Sequence, residues 1–145
     1  MNIYFACSIT GGRQDELVYQ KLVSALQQYG HHVPTASLAS PDVMPLEGVV
    51  SPQEVYARDV RWITESDFLL AEVSTPSHGV GYEIGYALSL GKRVLCLYRK
   101  GRKVSKMILG NPHPQLTIHT YEAPEQAVDL LRTYLETISS REANE

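Results

Sequence analysis

Two carboxylates sit where a soluble α/β protein could use them for chemistry. Glu83 closes the stretch Gly79-Val-Gly-Tyr-Glu83, one residue after Glu72-Val-Ser-Thr-Pro-Ser77. An apolar run, Phe68-Leu-Leu-Ala71, leads into a hydroxyl-rich turn and then a glycine-punctuated helix start. Free backbone N–H groups at such a start favour an anion, whether a phosphate or a glutamate side chain. Asp59 belongs to another helical stretch, three or four residues from Val55, Tyr56, Trp62 and Ile63, so it lies on or beside the apolar face. The helix start is expected to keep Glu83 ionised, and the apolar setting of Asp59 to raise its pKa. Carboxyls pushed apart in this way can divide acid and base roles between them.

The elements that must position these groups alternate. Strands are expected over Asn2–Cys7, His32–Ala36, Asp67–Val73, Arg93–Tyr98 and Leu116–Tyr121. Helices are expected from near Arg13 to Tyr29, from the capping box Ser51-Pro-Gln-Glu54 to about Ser66, from about Val80 to Leu90, and from Pro124 to Ile138. Val18, Leu22, Ala25, Leu26 and Tyr29 form the buried stripe of the first helix. Asp15 and Glu16 suit its positive end. Ser37 to Val50, with Pro41 and Pro45, reads as a long loop. The alternation predicts one α/β domain over 1–138, a doubly wound, Rossmann-like parallel sheet of five strands in the order 2-1-3-4-5 with helices on both faces, and a frayed tail over 139–145. In that order the turns after the first and third strands face each other across one crevice, where ligands bind.

Composition narrows the partners. The 145 residues are 43% hydrophobic and 20% charged, with a net charge of −3 and no long basic run, which disfavours a nucleic-acid polymer but not a single nucleotide. No apolar stretch approaches the roughly 20 residues of a membrane span, and the N-terminus does not read as a signal peptide. The expected compartment is the cytoplasm. Cys7 and Cys96, two strands apart and about 9–10 Å from each other in that order, are too far for a disulfide. No metal-ligand spacing is present, and no cofactor is called for.

Tyr4-Phe-Ala-Cys-Ser-Ile-Thr-Gly-Gly-Arg13, Asp59 with Trp62, and the whole run from Glu72 to Glu83 resemble the nucleoside 2-deoxyribosyltransferase superfamily, most of all its 2'-deoxynucleoside 5'-phosphate N-hydrolases. The resemblance covers nearly the whole chain in motif order. It implies a retaining hydrolysis of the N-glycosidic bond of (2'-deoxy)nucleoside 5'-monophosphates, in which Glu83 forms a glycosyl ester, Asp59 serves the leaving base and Tyr4 orients Glu83 and the sugar. It also implies phosphate contacts from Ser8, Ile9, Thr10, Gly11, Arg13, Ser77 and Gly79. Ser105 would reach the phosphate of a neighbouring subunit, which implies a homodimer. An oxocarbenium-like transition state independently calls for one ionised carboxylate and one proton donor. Three positions depart from the pattern: Cys7 stands where relatives usually carry glycine, Thr10 where they often carry arginine, and His78 where they carry an apolar residue. These departures bear on phosphate affinity and base choice.

Plainer uses exist for each residue. Glu83 could complement the helix start, Asp59 could be a surface acid, Tyr4 could be packing, Ser8 and Ser77 could be turn residues, and Ser105 could cap a short helix. Tyr82 and Tyr86 read as packing residues. Deoxyribosyl transfer between bases of unphosphorylated nucleosides would use the same nucleophile, a ribonucleotide-cleaving variant stays open, and a nucleotide-binding sensor without turnover is compatible with the fold.

Overall fold

The computed structural model describes residues 1–9, 15–40 and 48–145. Thr10, Gly11, Arg13, Pro41 and Pro45 lie outside the described residues.

Four parallel strands form the sheet: β1 (Ile3–Ala6), β2 (Phe68–Glu72), β3 (Arg93–Arg99) and β4 (Leu116–Tyr121), side by side in that order. Between them run α1 (Glu16–Gln28), a 3-10 turn (Ala36–Ala39), α2 (Pro52–Glu65), α3 (His78–Ser89) and the short α4 (Lys106–Leu109), and α5 (Pro124–Glu142) follows β4. Continuous apolar runs build the central strands because both faces are covered. Every residue of β1 and β2 is buried. The alternation of side chains sends Ile3, Phe5, Phe68, Leu70, Leu95 and Leu97 to one core, with α1 and α5. It sends Tyr4, Ala6, Leu69, Ala71, Val94 and Cys96 to the other, with Ile63 of α2 and Ile84, Ala87 and Leu88 of α3.

Among the described residues, four of the expected five strands are present. The segment assigned to a second strand touches the sheet through a single parallel bridge, Asn2 to His32, along the other edge of β1. Ile3 N–H donates to the His32 carbonyl at 2.8 Å. Pro34 then has no N–H to offer a ladder, and the Thr35 hydroxyl accepts from Phe5 N–H at 2.9 Å instead. The chain turns at once into the 3-10 segment.

Two other expectations shift. Tyr29 is 42% exposed, while Tyr19, outside the expected stripe, is fully buried and meets Phe5 edge-on at 6.1 Å. The last helix runs through Glu142 rather than ending near Ile138, and Glu142 takes an ion pair from Arg93 at 2.7 Å. Helix α2 starts as expected: Pro52 is its first residue and the Ser51 hydroxyl accepts from Glu54 N–H at 3.2 Å. No helix among the described residues is long and apolar enough to cross a membrane.

Candidate active site

The site forms on the Tyr4 face, beyond the carboxyl ends of β1 and β2. A cavity of about 460 Å³ is lined there by Cys7 and Ile9 from the end of β1, Val55, Tyr56, Asp59, Val60 and Ile63 from α2, and Ser77, Gly79, Tyr82 and Glu83 from the start of α3. It thus collects Glu83, Asp59, Ser77, Gly79 and Ile9 from three separate stretches of chain. That volume falls within the roughly 300–1,000 Å³ usual for small-molecule sites.

Each side chain has a local reason for its place. Helical side chains lean toward the N-terminus and onto the residue one turn earlier. Glu83 therefore reaches back over Gly79, and a β-carbon added at Gly79 would sit 3.7 Å from Glu83 Oε1 and 3.9 Å from Ser77 Oγ. The Ser77 hydroxyl caps α3 by accepting from Val80 N–H at 3.3 Å, so this serine both caps the helix and faces the cavity. Asp59 is 18% exposed and is held by its neighbour: Arg58 Nε donates to Asp59 Oδ1 at 2.9 Å. The Arg58 guanidinium in turn lies 5.0 Å from the centre of the Trp62 ring.

Tyr4 stands behind Glu83. Its ring is wholly buried in the core shared by α2 and α3. Burial, then the negative charges of Glu83 and Asp59, drive the Tyr4 hydroxyl far above the usual phenol range, so it keeps its proton. The hydroxyl is close enough to lower the Glu83 pKa, yet Tyr4 Oη has no partner within full hydrogen-bonding geometry.

Glu83 itself is a correction. Burial pushes its carboxyl up to about 7, opposed by the Tyr4 hydroxyl, reinforced by the Asp59 charge and opposed again by Arg58. The helix start does not hold it fully ionised at neutral pH. The reason is positional: Ser77 is the cap of α3, so Glu83 lies beyond the first turn, where the dipole effect fades, while desolvation by the cavity walls persists.

The remaining expected residues divide. Ser8 is fully buried. Ser105 is exposed and caps α4, its hydroxyl accepting from Met107 N–H at 3.2 Å. It lines a second cavity of about 450 Å³ on the other side of the α3 start, with Ser77, His78 and Lys103. Ser105 therefore does not reach the Glu83 cavity of its own chain. Tyr82 packs on one face only: it stacks with Tyr86 yet is 55% exposed and borders both cavities. Tyr56, 57% exposed, meets it at the mouth of the Glu83 cavity, with the two hydroxyls 3.4 Å apart. Tyr86 does pack, stacked on Tyr82 at 6.2 Å.

Sequence reasoning missed Arg58 and Tyr56 as parts of the site. Adjacent helical residues diverge, so the Arg58–Asp59 contact carries no spacing signal. Tyr56 had one, lying a turn before Asp59 on the same face.

The nucleoside 2-deoxyribosyltransferase family model matches residues 3–131. The chain belongs to this family. A 5-hydroxymethyl-dUMP N-hydrolase of Danio rerio is 42% identical over 146 residues, covering 96% of this chain and 99% of the relative. A protein of Methanosarcina mazei, named provisionally as a 2'-deoxynucleoside 5'-phosphate N-hydrolase, is 36% identical over 137 residues, covering 94% and 85%. Among solved structures, the CMP N-glycosidase of Clostridium botulinum superposes with a TM-score of 0.73 at 20% identity, covering 92% of this chain and 99% of that one. That last likeness concerns the fold.

Proposed function

We propose that this member of the family hydrolyses the N-glycosidic bond of nucleoside 5'-monophosphates, 2'-deoxy substrates being favoured, and releases free base and deoxyribose 5-phosphate. The observation that carries the reading is the convergence of Glu83 and Asp59 on one cavity with Tyr4 behind Glu83. The names of the relatives point the same way. In its ionised form Glu83 attacks the anomeric carbon. The bond to the base nitrogen breaks with its electron pair leaving on the base, and Asp59 supplies a proton or hydrogen bond to that nitrogen. Water then opens the glycosyl-glutamate ester and returns the carboxylate. Tyr4, which keeps its proton, steadies the attacking carboxylate.

The 5'-phosphate is assigned to Ser77, the N–H groups around Gly79, and the segment that begins at Ser8 and Ile9. Holding a group remote from the broken bond converts binding energy into positioning. The assembly we infer is a homodimer in which Ser105 of one protomer completes the phosphate site of the other. In support, the short helix that Ser105 caps exposes two apolar side chains, Met107 at 84% and Leu109 at 43%. Two buried free cysteines, Cys7 and Cys96, suit a reducing compartment such as the cytoplasm.

The test is chromatographic detection of free base from dGMP and the other deoxynucleotides, with deoxyguanosine as the unphosphorylated control. Base release that survives intact in Glu83→Gln overturns the mechanism.

A further inference from the structure

Asp15 occupies the cap position of α1 but does not cap it: its side chain makes no hydrogen bond to the helix start. An aspartate at a helix cap ordinarily accepts from the first turn; this carboxylate is committed elsewhere. It is buried, 2% exposed, and receives both arms of Arg102: Nη2 donates to Oδ1 at 3.0 Å and Nη1 to Oδ2 at 3.4 Å. Arg99 Nε stands 3.9 Å from Oδ1. The Thr75 hydroxyl donates to Oδ2 at 3.0 Å.

Those contacts meet on one short turn, residues 73–77, which joins β2 to the cap of α3. Val73 N–H donates to the Leu97 carbonyl at 2.9 Å. Ser74 N–H donates to Glu72 Oε1 at 2.6 Å, the Ser74 hydroxyl accepts from Arg99 N–H at 2.8 Å, and the Ser74 carbonyl accepts from Arg102 Nη1 at 3.4 Å. Thr75 is the Asp15 partner. Two residues later comes Ser77, whose hydroxyl caps α3 and faces both cavities. Arg102 lies three residues before Ser105, on the loop that leads to α4. A bidentate arginine–carboxylate fork fixes direction as well as distance.

We propose that Asp15 and Arg102 are positioning residues that set Ser77 and the start of α3 for the 5'-phosphate of the substrate, so that loss of the fork selectively weakens recognition of phosphorylated ligands. The inference rests on the proposed nucleotide-hydrolase reading. Neither residue lines the Glu83 cavity, so both act through the turn.

The experiment compares binding of dGMP and deoxyguanosine by calorimetry in a Glu83→Gln background, which prevents turnover, with and without Arg102→Gln. Arg102 is 31% exposed but Asp15 is buried, so thermal melts verify that Arg102→Gln is folded before binding is measured; Arg102→Lys keeps the charge without the fork. The expected result is a loss of about tenfold or more in the preference for dGMP over deoxyguanosine in Arg102→Gln, partial recovery in Arg102→Lys, and unchanged deoxyguanosine affinity. A lowered melting temperature with the dGMP preference intact overturns the proposal, because the fork would then serve folding alone. So does an equal loss for both ligands, or a parent protein with no preference for dGMP. Absence of turnover in the Glu83-bearing protein, with the preference present and lost in Arg102→Gln, refutes the hydrolase reading and leaves the positioning role standing.

Discussion

Tyr4 on β1 and Glu83 on α3 shift each other's proton affinity: the phenol lowers the Glu83 pKa, and the carboxylate raises that of the phenol. The two residues are 79 positions apart in sequence, from 4 to 83. The Tyr4 oxygen nevertheless has no partner in full hydrogen-bonding geometry. A buried polar atom left in this state is disfavoured for stability and useful for function, because it is free to tighten on a ligand-bound carboxylate.

Tyr4→Phe should therefore separate stability from activity. Removing an unpartnered buried hydroxyl should leave stability unchanged or raise it by about 1 kcal/mol. Activity should fall, and the acidic limb of the kcat/KM profile should move to higher pH, since Tyr4 lowers the Glu83 pKa. Thermal melts and pH–rate profiles on the same preparation check both directions.

The Glu83 carboxyl binds its proton more tightly in the folded protein, at about 7, than at its ordinary value of 4.5. The stability associated with that proton is fully present below about pH 4.5 and lost as pH rises through about 7. Glu83→Gln cannot ionise, so its melting temperature should gain on the parent's from pH 4.5 to pH 8. The gain should be about 10 °C, because a move from 4.5 to about 7 corresponds to about 3 kcal/mol, at about 2–4 °C per kcal/mol for chains near this size. Base release should drop by about a thousandfold or more, as expected for loss of a nucleophile.

Asp59→Asn should lower kcat by about 10²–10⁴-fold, the range for a lost general acid, with a smaller effect on substrates whose bases leave readily. Rates for a series of deoxynucleotides differing in the basicity of the leaving nitrogen provide the measurement. A uniform effect across the series would assign Asp59 to positioning rather than proton delivery.

Glu72 ends β2 wholly buried, and Tyr121 donates to its Oε2 at 2.6 Å. Burial raises the Glu72 pKa and the Tyr121 bond opposes that rise. Tyr121→Phe should destabilise the fold by about 1–3 kcal/mol, because a buried acceptor loses its donor. The loss should grow as pH rises and Glu72 is asked to ionise without that bond. Denaturant titrations at pH 5 and pH 8 check the sign.

Much of the fold was legible because it is written in local periodicity. The runs Phe68–Glu72 and Arg93–Arg99, the stripe around Leu22 and Leu26, and the cap at Ser51 each follow from neighbours a few residues away. The strand that failed, near His32, shows where locality ends: its place beside β1 was decided by Pro34 and by the Thr35 hydroxyl taking a backbone donor. Of the candidate site, Glu83, Asp59, Ser77, Gly79 and Ile9 were legible as residues that meet at one cavity, but the electrostatics of that cavity were not. Glu83 looked ionised because a helix start precedes it, and the walls contributed by α2 and β1 outweigh that start.

The order of residues alone determined which carboxylates this protein could use, which turn carries Ser77, and which family the chain resembles. Those depend on residue types at short separations. Only the tertiary structure decided that Tyr4 stands behind Glu83, that Asp15 answers Arg102 across 87 positions, and that Ser105 faces a different cavity from the one lined by Asp59. Desolvation and long-range pairing are properties of the packed space around a group, and no local stretch of chain encodes that space.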